Sequence, residues 1–137
     1  MGPYGTHTAC LPVKSNIIQY FPDQNSINTI VNIHNYYRSL VSNPTASDMR
    51  EVTWDVDLAM LAQNWAAQGN LAHDCFTCRT PLNNYTTCVG QNAFKAPKDY
   101  ANNLTNLWMS TVDSWYSEIQ YFDYNSSSGS STGMNII

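Results

Sequence analysis

Charge is what this sequence has least of. Six Lys and Arg and ten Asp and Glu in 137 residues make 12% charged, about half the usual share of a soluble domain. The six basic residues form no cluster. Neutralising successive phosphates takes a basic stripe, so nucleic acid is not an expected partner. Long apolar runs are missing as well, and none approaches the roughly 20 residues of a membrane span. Met1 to Cys10 has neither a basic start nor an apolar stretch, so no signal peptide is visible. There is no internal repeat. Cysteine is limited to Cys10, Cys75, Cys78 and Cys88. Cys75-x-x-Cys78 could belong to a zinc site or a redox pair, but a zinc ribbon needs a second such pair and a thioredoxin-like motif needs a βαβ context. Neither is there, which leaves disulfides in an oxidising compartment.

What is present fits that compartment. Hydrophobic residues reach 43%, enough for the core of one domain. Tyr, Asn, Ser and Thr take the surface places that charge leaves empty. Three N-x-[ST] sequons stand at Asn84, Asn103 and Asn125, each an acceptor for N-glycosylation in a secreted chain.

Residues 1–22 carry Pro3, Gly5, Pro12 and Pro22 and no period, so an irregular N-terminal arm is expected, with the domain proper over 23–137. Ser26 is placed to cap a first helix. Its apolar stripe is Ile27, Ile30, Val31, His34, Tyr37, Leu40 and Val41. Asn43-Pro44 ends it. Val52 to Trp54 reads as a short strand. Asp55 or Asp57 then starts a second helix, with Leu58, Leu61, Ala62, Trp65, Ala66 and Gly69 on one face. Residues 70–88 form a cysteine-rich loop. Val89 to Phe94 reads as another short strand, with Gly90 allowing a close backbone approach. A third helix is predicted from about Tyr100 to Phe122, on Leu104, Leu107, Trp108, Thr111, Val112, Trp115, Ile119 and Phe122. Residues 125–133 are a Ser/Gly-rich loop. Three good helices and at most two short strands leave apolar faces that need a further layer.

In this order the segments resemble the CAP superfamily of cysteine-rich secretory, antigen 5 and plant pathogenesis-related-1 proteins. Ile30-Val-Asn-Ile-His-Asn-Tyr-Tyr-Arg38 is similar to the family's first-helix signature. Ala46-Ser-Asp-Met49 and Val52-Thr-Trp54 match its next loop and strand. Ala62-Gln-Asn-Trp-Ala66 matches its second helix. Leu71-Ala-His-Asp74, Val89-Gly-Gln-Asn92 and Ser114-Trp-Tyr-Ser-Glu118 match later segments. Each is weak alone, and six in order are specific. Thr6-His-Thr-Ala-Cys10 and the His73-Asp74…Cys78-Arg79 arrangement point to the antigen-5 branch. The resemblance implies an α+β fold, the CAP-type α-β-α sandwich with a small antiparallel sheet. Beside the family pattern, Gly69 replaces a cysteine of antigen 5. The segment carrying the family's second cavity histidine would follow Ile137, so the domain is expected to be incomplete at its C-terminus and truncated at both ends.

The resemblance also implies a cavity lined by two His and two acids that in some members binds a divalent cation. Carried over residue by residue, it gives His73 and Glu118 as metal candidates, with Gln91 at a position often Glu. A tight zinc site takes three or four N, S or O donors, and two fall short. The expectation is therefore no cofactor, with zinc conceivable only in a complete domain. No catalytic residue is assigned. His73 and Glu118 have the chemistry of an acid/base pair, but no activated Ser or Cys accompanies them, and a hydrogen-bonded cluster is the plainer reading. His34, on the apolar stripe, reads as a satisfied core histidine. Arg38 reads as pairing with a carboxylate or capping a carbonyl. Trp54, Trp65, Trp108 and Trp115 are packing residues first, and a lipid slot between helices is the sharper alternative. A Cys75–Cys88 or Cys78–Cys88 bridge would close a loop worth on the order of 3 kcal/mol; spacing alone does not fix the pairing. The function expected is a secreted, non-enzymatic protein of venom, saliva or body fluid that binds a sterol, a fatty acid or a host protein. The alternatives are a metal-dependent hydrolase and a non-functional truncated product.

Overall fold

The computed structural model describes residues 7–42, 46–80, 89–99 and 103–121. The sequon residues Asn84 and Asn125, Cys88 and the Ser/Gly-rich loop lie outside them. The chain divides into two compact units. One holds residues 1–21 and 54–95, the other residues 22–53 and 96–137.

In the first unit, α2 runs Val56–Ala66. Asp55 rather than Asp57 is its cap: it is extended, and its carboxylate accepts from the Leu58 N–H at 2.9 Å. Asp57 sits inside the first turn, where a negative charge suits the helix dipole. Gly69 ends the following turn at φ 67°, a left-handed conformation that favours glycine. The covered face agrees with the predicted stripe at Leu61 and departs from it elsewhere. Leu61 and Ala67 are buried, whereas Ala62 and Ala66 are exposed. The N-terminal segment, rather than a sheet, covers this helix. A 3-10 turn over Thr8–Cys10 packs on α2. Asn64 Nδ2 donates to the Ala9 carbonyl at 3.4 Å and Gln68 Nε2 to the Pro12 carbonyl at 3.1 Å. Lys14 Nζ donates to the Gln68 carbonyl at 2.7 Å.

In the second unit, α1 runs Gln24–Ser39 and α3 runs Leu104–Tyr116, and the two pack together. Asp23, not Ser26, caps α1, accepting from the Ser26 N–H at 2.8 Å. Ser26 lies within the first turn and is buried. Helix α3 starts later than predicted because Asn103 caps it, accepting from the Asn106 N–H at 3.0 Å. It tightens into a 3-10 turn over Ser117–Tyr121. Thr111 and Val112 form its buried centre, and Ile119 is exposed. His34 Nδ1 donates to the Ile30 carbonyl one turn back at 2.7 Å, and its ring lies 6.2 Å from Trp115. It is the satisfied histidine its place on the stripe predicts. Arg38 donates from Nε and Nη2 to the Arg50 carbonyl at 2.9 and 2.7 Å.

Neither predicted strand forms, and among the described residues there is no β-strand. The helices of the expected α-β-α sandwich are present, without a sheet in those residues. The reason is local. A strand's backbone needs a ladder partner, and at Val52 a side chain takes that place. Asn35 Nδ2 donates to the Val52 carbonyl at 3.0 Å, while its Oδ1 accepts from the Val52 N–H at 2.8 Å. At the second segment the Val89 carbonyl accepts from Arg79 Nε at 2.7 Å. Gly90 faces open space and makes no close approach.

Candidate functional site

The site begins with the 3-10 turn Phe76–Arg79. In a 3-10 turn residues i and i+3 eclipse. The Cys78 N–H donates to the Cys75 carbonyl at 2.8 Å, and the Cα atoms come to 5.0 Å, within disulfide range. The structure joins Cys75 to Cys78, in place of a bridge from either to Cys88. A ring this short restricts the unfolded chain far less than a dozen-residue loop would. Cys10 is exposed and bonded to no cysteine among the described residues.

The same turn aims Arg79 back at Asp74. Arg79 Nη1 lies 2.6 Å from Asp74 Oδ1, with the side chains 13% and 2% exposed respectively. Asp74 Oδ2 accepts from the Thr8 hydroxyl. Arg79 also donates to the carbonyls of Asp74, at 3.1 Å, and of Val89. Both partners of this buried ion pair are therefore held by further hydrogen bonds, which is the condition under which burying charge is tolerated. His7 fastens the other side. Its Nδ1 accepts from the Ala9 N–H at 3.2 Å, so the proton sits on Nε2, which donates to the Thr80 carbonyl at 2.9 Å.

Gln91 joins this cluster to the first metal candidate. Its Oε1 receives three donors: His73 Nδ1 at 3.0 Å, the Asp74 N–H at 3.1 Å and Arg79 Nη1 at 3.4 Å. Three converging donors fix which end of the amide is oxygen. They also fix His73 as the Nδ1–H tautomer, leaving a lone pair on its exposed Nε2. Glu118, the other candidate, is half-buried in the second unit, in the 3-10 turn after α3. The structure thus brings His73 and Gln91 together within one unit. Thr8, Asp74 and Arg79, which hold them, carry no assignment from sequence, although the His-Asp…Cys-Arg spacing contains two of the three.

These residues do not fit a tight metal centre within the first unit. His73 offers one lone pair, and the Gln91 oxygen is already spent on three donors. No group of three or more His, Cys, Asp or Glu among the described residues is gathered as a metal site.

In the second unit an aromatic cluster borders α1. Tyr37 stacks on Tyr116 at 4.2 Å and meets Tyr36 edge-on at 5.3 Å. The Tyr37 hydroxyl donates to Asp113, and chiefly for that reason its pKa is pushed up to about 12. Trp108 Nε1 is a buried side-chain donor with no partner among the described residues.

Comparison with known proteins agrees with the order of motifs. The model of the cysteine-rich secretory protein (CAP) family matches residues 31–135, and the chain belongs to that family. It is similar to Venom allergen 5 of Tityus serrulatus, 36% identical over 126 residues covering 85% of this chain and 30% of the relative. It is similar also to a CRISP/Allergen/PR-1 protein of Trittame loki, 33% identical over 90% of this chain and 32% of the relative. Cysteine-rich venom protein Mr30 of Conus marmoreus is 34% identical over 87% and 38%. The chain spans about a third of the length of these relatives. No solved structure matches it. Among the described residues no helix is long and apolar enough to cross a membrane.

Proposed function

We propose that this chain is part of a secreted, non-enzymatic CAP protein that binds a small lipid with one polar end, a sterol or a fatty acid. Relatives named as venom allergens and venom proteins support the extracellular setting. In this reading the helices described here belong to the family's α-β-α sandwich, with residues 1–22 an arm on a domain over 23–137.

The observation that carries the reading is Trp108. A buried N–H without an acceptor costs about 1–3 kcal/mol, and such a group calls for an explanation. In this reading the hydroxyl of a sterol or the carboxylate of a fatty acid supplies the acceptor that Trp108 Nε1 lacks among the described residues. Trp115, two turns on along α3 and 6.2 Å from the His34 ring, adds aromatic surface to the same helix. The hydrolase reading has no such support. Of the two strong donors the resemblance supplies, His73 belongs to the first unit and Glu118 to the second, and the Gln91 amide oxygen is occupied by three donors.

The test is direct titration of the protein with cholesterol and with palmitate, followed by tryptophan fluorescence, with and without chelator. The expected result is saturable binding that chelator leaves unchanged, and that Trp108→Phe weakens about 2- to 10-fold, one hydrogen bond's worth. Stoichiometric zinc uptake with a hydrolytic activity lost on chelation would overturn the reading in favour of the enzyme. Absence of lipid binding, with saturable binding to a host protein instead, would overturn the lipid assignment.

A further inference from the structure

Of the three sequons, the one at Asn103 falls on described residues, and there the side chain's two ends are separated in role. Asn103 is extended, at φ −138° and ψ 92°, and exposed. Its Oδ1 accepts from the Asn106 N–H at 3.0 Å, and its own carbonyl accepts from the Leu107 N–H at 3.0 Å. The cap therefore uses only the oxygen of the amide. Oligosaccharide is attached to the nitrogen. A bound glycan leaves Oδ1 and its bond to Asn106 in place, because an N-substituted amide keeps its carbonyl acceptor. Thr105, the hydroxyl residue the sequon requires, is exposed on the first turn.

We infer that Asn103 is an N-glycosylation site, and that the glycosylated asparagine remains the N-cap of α3. The inference rests on the extracellular reading above, since the donor is met only in the secretory pathway. That donor is an oligosaccharide carried on a polyprenyl diphosphate. The bond between its anomeric carbon and the phosphate oxygen breaks, and a bond from the anomeric carbon to Nδ2 forms. Nδ2 gives up one proton, and the polyprenyl diphosphate leaves. No redox change occurs. The attached sugar then stands at the N-terminal end of α3.

The test separates this inference from the secretory reading by supplying the compartment. The full chain is translated behind a cleavable leader in the presence of microsomes, and only the protease-protected fraction is scored. Peptide N-glycosidase then converts any glycosylated Asn103 to Asp, which peptide mass spectrometry locates. The expected result is conversion at Asn103 in the parent chain and none in Asn103→Asp or Thr105→Ala. Both variants keep an oxygen cap, so their protease protection after folding should match that of the parent chain. Asn103→Gln, which loses glycan and cap together, should be cut faster than either. A protected parent chain with Asn103 unconverted overturns the site. Conversion at Asn103 accompanied by loss of protection relative to Thr105→Ala overturns the claim that glycan and cap coexist.

Discussion

Removing either half of the Asp74–Arg79 pair should destabilise the first unit, and by unequal amounts. Breaking a buried pair from one side costs about 3–5 kcal/mol, because the surviving charge stays buried without its counterpart. What survives differs between the two halves. In Asp74→Ala, Arg79 keeps the carbonyls of residue 74 and Val89 and the Gln91 oxygen as acceptors. In Arg79→Met, the Asp74 carboxylate, 2% exposed, keeps the Thr8 hydroxyl. Asp74→Ala should therefore fall near the lower figure, about 3 kcal/mol, and Arg79→Met near the upper, about 5 kcal/mol. The double variant should cost less than Arg79→Met alone, since it leaves no buried charge behind. Urea unfolding gives the magnitudes: with a slope of about 1–3 kcal/mol per molar, a loss of about 3 kcal/mol moves the midpoint by about 1 M or more. Hydrogen exchange at the Cys10 amide, bonded to the His7 carbonyl at 2.8 Å, reports whether the Thr8–Cys10 turn comes loose with it. Additive losses in the double variant, or equal losses in the two single ones, would refute this account of the pair.

Three further outcomes follow from single contacts. Gly69→Ala should cost about 1–2 kcal/mol by forcing a Cβ into the left-handed region; the new methyl meets only the end of Ile17, at 3.0 Å, so Gly69→Asn should recover part of the loss in a thermal melt. Asn35→Ala removes both bonds to Val52 and should cost about 2 kcal/mol in urea, at about 1 kcal/mol per bond, with Asn35→Asp intermediate because it keeps the acceptor. Tyr37 has its pKa raised from 10.0 to about 12, so its contribution to stability is complete below pH 10 and fades as pH climbs toward 12. Phenolate absorbance should show one tyrosine titrating late, and Asp113→Asn should bring it back toward the others; an unchanged titration curve would sink that assignment.

The helices were legible because each is written in a local code. Asp55 and Leu61 mark a cap and a buried face that need no tertiary information to read. The exchange of Ser26 for Asp23 as the first cap is of the same kind: both residues can accept from an N-terminal amide, and only the backbone angle at Asp23 chooses between them. The strands were misread because β structure is a property of pairs. Val52-Thr-Trp54 has strand composition, but its hydrogen-bond partner is the side chain of Asn35, 17 residues away, and no pattern in the sequence links the two. Beyond Leu61, the covered face of α2 was misassigned for a related reason. Periodicity identifies apolar positions, whereas burial depends on what arrives, and here an N-terminal segment packs on α2 through bonds to Asn64 and Gln68. At the candidate site, family resemblance found His73 and Gln91, and physical bookkeeping alone would have passed over Thr8, an ordinary hydroxyl 66 residues from the carboxylate it holds.

Gln91 ties stability and function together at one atom. A glutamate there would accept the same three donors, and its charge would sit beside Arg79, so the fold alone does not demand an amide. The amide changes what remains for chemistry. A carboxylate has a second oxygen carrying negative charge to offer a cation or a proton, whereas the amide's second atom is an NH2 with no lone pair to give. The substitution keeps His73 oriented as the Nδ1–H tautomer while withdrawing the partner that metal binding or acid/base work would need. A side chain that keeps this hydrogen-bonded scaffold and offers no reactive group agrees with the non-enzymatic reading proposed above. Gln91→Glu is accordingly the variant in which zinc affinity should rise with the fold intact, and it should leave the lipid binding proposed at Trp108 unchanged.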